Sequence, residues 1–131
     1  MKHIVKVLLA VVMATSLLVG PAAAHVRTAD TALKLSANHT TIHKGKGVTF
    51  TATLKSNWKK CYSQRRVHLY KDGVHQFYKG TNTAGVAKFT VHPNKTHHWY
   101  VRFNGRKWGT HPHKHTCLAS QSKTIKIVVK P

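Results

Sequence analysis

The chain has 131 residues and carries 22 Lys and Arg against two acids, for a formal net charge of +20 at neutral pH. Its only acidic side chains are Asp30 and Asp72, which excludes the paired-carboxylate chemistry of glycoside hydrolysis. A surface this cationic repels its own copies and is drawn to polyanions.

The first 24 residues read as a secretory signal. Lys2 and Lys6 supply a positive start, Ile4 to Val19 is almost unbroken apolar sequence, Gly20-Pro21 interrupts it, and Ala22-Ala23-Ala24 provides the small residues of a cleavage site. The apolar run is short for a membrane span of ~20 residues, so no span is expected after cleavage. What remains is one domain, residues 25–131, expected to be secreted and to stay extracellular or associated with the cell wall.

In that domain His25 to Thr31 reads as a polar lead-in, and Ala32 to Ala37 as a first strand with Leu33 and Leu35 on one face. Asn38 to Gly47 reads as a turn-rich connection. Gly47 to Leu54 alternates cleanly, with Val48, Phe50, Ala52 and Leu54 facing in and Thr49, Thr51 and Thr53 facing out. Lys55 to Arg65 has no periodicity and reads as a loop carrying Cys61. Strands then follow at about 66–71 and 74–79, joined by Asp72-Gly73 as a hairpin turn, and at about 85–91. His97 to Asn104 places Trp99, Val101 and Phe103 inward and His98, Tyr100 and Arg102 outward. The stretch from Asn104 to Lys123 loses all pattern and reads as a long loop holding Cys117, unusual for a compact domain unless stapled or functional. Thr124 to Lys130 reads as the closing strand.

Two cysteines in a secreted chain imply one intramolecular disulfide, Cys61 to Cys117. Seven short strands with regular turn signals imply an all-β, two-sheet antiparallel sandwich. Gly47 to Leu54, Arg66 to Gly73, Thr83 to Val91 and Tyr100 to Gly105 together resemble bacterial immunoglobulin-like domains of secreted and cell-surface proteins. That resemblance implies an immunoglobulin-like β-sandwich and a role as spacer, adhesin module or carbohydrate-associated domain.

In such a sandwich the connections after the second and sixth strands share one pole, which here brings 55–65 beside 104–123. The pole then gathers Trp58, Lys59, Lys60, Tyr62, Arg65, Arg106, Lys107, Trp108 and Lys114. Cations pair with phosphate or carboxylate while aromatic faces stack on rings, so the expected partner is an anionic cell-envelope or extracellular polymer, with nucleic acid bound only non-specifically. The structural alternative is that Trp58 and Trp108 pack over the disulfide as a small satellite core.

No nucleophile-elbow serine and no phosphate-cradling glycine loop is present. The domain is therefore expected to be a monomeric, non-enzymatic binding module without a cofactor. A competing reading starts from His111, His113 and His115, alternate imidazoles of the kind that bind Cu(II) or Zn(II), although the neighbouring Lys107 and Lys114 oppose a divalent ion. His25, the first residue after cleavage, is a second copper-ligand candidate. A protein–protein interaction or structural module is the remaining alternative.

Overall fold

The computed structural model describes residues 25–131; the expected signal segment, residues 1–24, lies outside the described residues. These fall into two compact units, a small one holding residues 25–27 and 107–115 and a large one holding 28–106 and 116–131. In chain order the strands are β1 (His25–Ala29), β2 (Ala32–Ala37), β3 (Thr41–His43), β4 (Val48–Lys55), β5 (Arg66–Lys71), β6 (Val74–Gly80), β7 (Val86–Val91), β8 (His97–Phe103), β9 (Arg106–Trp108), β10 (His113–Cys117), β11 (Ser120–Gln121) and β12 (Ile125–Lys130).

The large unit is a two-sheet β-sandwich. One sheet has the order β2-β4-β7, the other β3-β12-β8-β5-β6 with β11 also paired to β8. The seven strands read from sequence thus segregate as first, second and fifth against third, fourth, sixth and seventh, an immunoglobulin-type grouping except that the fourth strand lies at the edge of the larger sheet. Inward residues of β4 are sealed: Val48, Phe50, Ala52 and Leu54 are at most 1% exposed. They meet Val67, Leu69, Val101 and Ile127 from the facing sheet, all fully buried. Ring pairs bridge the sheets, Phe50 to Trp99 at 5.4 Å and Phe77 to Phe89 at 5.7 Å between centroids.

Three expectations need correction. Residues 25–31 are not a plain lead-in, because 25–29 form β1. The connection 38–47 contains β3, whose Ile42 is buried and whose backbone pairs with β12 in parallel; the sandwich is therefore antiparallel except at this edge. The stretch 104–123 is not structureless, since it holds β9, β10 and β11. The seven strands read from sequence are all present, and the described residues add five short ones of two to five residues. Such short edge strands bury at most one or two side chains, so they leave no alternating apolar signature.

The hairpin turn expected at Asp72-Gly73 is present, with φ of 50° and 80° at the two residues, the both-positive combination that joins two strands of right-handed twist. Asp72 also clasps the neighbouring strand. Its carboxylate accepts from the His98 backbone N–H at 2.9 Å and pairs with His97 Nδ1 at 2.5 Å. These bonds, the His98 amide first, hold the Asp72 carboxyl below its ordinary range.

Gly85 has φ +86°, and a Cβ there would collide with the Leu54 carbonyl oxygen and press on the Tyr62 ring. Its own carbonyl accepts from Leu54 N–H at 2.8 Å. Gly85→Ala is therefore expected to destabilise the fold by at least ~2 kcal/mol, the left-handed backbone and the clash acting together. Urea unfolding of the variant checks this, and a loss under ~0.5 kcal/mol, the size of an ordinary surface change, contradicts it.

Candidate anion-binding site

The staple is formed. Cys61 and Cys117 are bonded with Cα atoms 5.5 Å apart, and both are buried. Cys61 ends a single 3-10 turn, Lys59–Cys61, in the segment read as a loop. That segment is pinned by Thr81, which is 4% exposed. The Thr81 hydroxyl donates to the Tyr62 carbonyl at 2.6 Å and accepts from Arg65 N–H at 2.8 Å, while Thr81 N–H donates to the Arg65 carbonyl. Arg65 thus enters β5 from a backbone fixed at three points.

Of the residues expected at the pole, Trp58, Lys59, Lys60, Tyr62, Arg65 and Arg106 belong to the large unit, and Lys107, Trp108 and Lys114 to the small one. Within the large unit the Lys60 ammonium lies 5.8 Å from the Trp58 ring centroid. Within the small unit Trp108 and His115 are in ring contact at 5.5 Å. His111, His113 and His115 also lie there, but only His113 and His115 are in β10. No group of three His, Cys, Asp or Glu side chains placed to hold a metal ion occurs among the described residues.

Arg65 and Arg106 line one pocket of about 480 Å³ in the large unit, together with Gln64, Arg66, His68, Phe103, Asn104 and Gly105. It forms because β5 and β8 are antiparallel, so the start of one meets the end of the other. Three guanidinium groups and an imidazole surround this space and no acid does. The Arg65 pKa is depressed, first by burial and then by the positive charge of Arg106, and its buried Nε has no hydrogen-bond partner. His68 is likewise depressed, by burial first and then by His75 and Arg66. The site therefore brings Arg65 and Arg106 close enough to repel one another in a pocket whose lining holds no acid.

Arg66, His68, Phe103, Asn104 and Gly105 were not among the residues singled out from sequence. The signal was available: with Val67 and Leu69 inward, period two puts Arg66, His68 and Tyr70 on the opposite face of β5. The strand was placed from sequence, but no use was made of that face.

No family model matches this chain, and no curated protein does. Among solved structures the chain is similar to the CARDB domain of a Pyrococcus furiosus protein crystallised in complex with di-metal ions, at 9% identity and a TM-score of 0.47, covering 77% of this chain and 93% of that one. The class of the protein rests on its own strand order and staple: an all-β sandwich with one disulfide and an arginine-lined, acid-free pocket where β5 and β8 meet.

Proposed function

We propose that this protein is a secreted, non-enzymatic binding domain that holds anionic polymers of the cell envelope or extracellular space, gripping them at the pocket between Gln64–His68 and Phe103–Arg106. The observation that carries this reading is the gathering of Arg65, Arg66 and Arg106 around one concave space with no acid in its wall. Anionic groups entering there relieve the repulsion between Arg65 and Arg106 and meet in Arg65 Nε a donor already taken out of water. Guanidinium is suited to this task, because its planar fork pairs with phosphate or carboxylate through two parallel hydrogen bonds. Lys59 and Lys60, exposed on the adjoining turn, add long-range attraction that salt screens.

The test compares two charge-matched variants. Arg65→Gln/Arg66→Gln/Arg106→Gln is expected to lower the slope of log affinity against log salt for polyphosphate and for a teichoic acid by about 2 to 3, one counterion's worth per lost contact. Lys34→Gln/Lys88→Gln/Lys126→Gln removes the same charge from exposed outer positions and is expected to change the slope by less than about 1. Equal losses in the two variants defeat the pocket and leave only general basicity.

A further inference from the structure

We infer that the outer face of β6, β5 and β8 is a stacking platform for single-stranded nucleic acid. This rests on the polyanion reading and states which polyanion the site is shaped for.

The observation is a ribbon of rings on one sheet face. His68 and Tyr70 from β5 meet His75 and Tyr78 from β6 and Tyr100 from β8. Centroids are 5.1 Å apart for His68 and His75, 5.6 Å for His68 and Tyr78, 5.4 Å for Tyr70 and His75, and 4.9 Å for the stacked pair Tyr70 and Tyr100. The ribbon crosses three strands, a width of ~10 Å from two inter-strand steps. Tyr78 is 48% exposed, and the Arg66 guanidinium lies over it at 4.8 Å. Arg102 stands opposite His68 in the register. At its Arg66–His68 end the ribbon opens into the arginine pocket, which those two residues also line.

The facing sheet of the same sandwich supplies the control. Its outward positions on β2, β4 and β7 are Ala32, Lys34, Ser36, Thr49, Thr51, Thr53, Lys55, Val86, Lys88 and Thr90, small, polar or cationic and without a single ring. Solubility and sandwich packing are thus met there without aromatic side chains, and five rings linked in a chain of four contacts on the other face call for a different cause. A ligand that uses both rings and arginines needs planar units with one anion per unit. Single-stranded nucleic acid has this form: its bases stack on aromatic faces whatever their sequence, and its phosphates pair with guanidinium. A duplex hides its base faces, a teichoic acid backbone has no planar unit, and a uronate polymer has puckered, hydroxylated rings.

The experiment measures binding of the full chain by fluorescence anisotropy. Three labelled probes with equal numbers of phosphates are used: oligo(dT), an abasic oligodeoxynucleotide and a duplex. Oligo(dT) is expected to bind at least about tenfold more tightly than either of the others, within what one or two stacked bases contribute. Tyr70→Leu/Tyr78→Leu/Tyr100→Leu is expected to erase that difference while leaving the salt slope unchanged, and Tyr78→Leu alone, at the exposed end, to reduce it. Equal affinity for oligo(dT) and the abasic strand overturns the inference and leaves the polyanion reading standing. So does an acidic polysaccharide whose binding depends as strongly on the tyrosines. Absence of salt-dependent binding to every anionic probe defeats both.

Discussion

Replacing Cys61 and Cys117 with alanine is expected to lower the free energy of unfolding by about 4 kcal/mol, the chain-entropy value for a loop closed across 56 residues. In a domain of this size that corresponds to a fall in Tm of roughly 15–25 °C. The staple matters here because of where it sits. It joins a turn of three residues to the end of β10, two pieces with too few apolar side chains to hold themselves. Both sulfurs are buried, so truncation also leaves two small cavities whose cost adds to the entropic one. Urea titration of the double variant, followed by circular dichroism, measures the loss. A value under ~1 kcal/mol contradicts the prediction and implies that Thr81 and the strand ladders already fix the two segments without the bond.

How much of this was legible in the sequence follows from which residues are buried. β4 was readable at sight because one face is sealed and the other solvated, so Val48, Phe50, Ala52 and Leu54 alternate with three threonines. β8 was readable for the same reason through Trp99, Val101 and Phe103. β3 was not, because its one buried residue, Ile42, gives no period, and the strand exists through its pairing with β12, about ninety positions away. β10, with the sequence HKHTC, ends on a buried cysteine and carries no large apolar side chain; backbone pairing, not amphipathicity, makes it a strand. The site was half legible. Arg65 and Arg106 were singled out through topology, since the loops after the second and sixth strands share a pole. Arg66, His68 and the ring ribbon were passed over because outward strand positions usually carry no chemistry, and ring contacts across strands depend on register, which sequence alone leaves open.

Binding to an anionic polymer is expected to weaken steeply with salt and to tighten on acidification, and the two responses should separate by variant. Three guanidinium contacts alone imply a slope of roughly −2 to −3 in log affinity against log salt, hence a roughly 15- to 60-fold loss between ~50 and ~200 mM. The pH response comes from His68. Its Nδ1 lies 2.9 Å from His75 Nε2, Arg66 adjoins it on β5, Arg102 faces it from β8, and Tyr78 is in ring contact from β6. Burial first, then His75 and Arg66, hold its pKa below the ordinary histidine value, so the free protein keeps it neutral near pH 7. A bound anion favours the protonated ring, so the bound-state pKa is higher and affinity rises as pH falls below ~6.5, by at most about tenfold per pH unit for one proton. Stability of the free protein runs the other way. A histidine depressed in the folded state contributes stability that is present above its unfolded value of ~6.5 and is lost as pH falls through its folded value. Acidification is thus expected to lower the Tm of the free domain while strengthening its complex. His68→Gln should flatten both trends and leave the salt slope nearly intact, whereas Arg65→Gln/Arg66→Gln/Arg106→Gln should lower the slope by the guanidinium share of about 2 to 3. Isothermal titration with polyphosphate at pH 7.5, 6.5 and 5.5, beside melting curves at the same values, measures both signs. Affinity that falls with acidification, or a wild-type pH response that survives in His68→Gln, would show that the imidazole at this pocket takes no part in holding the anion.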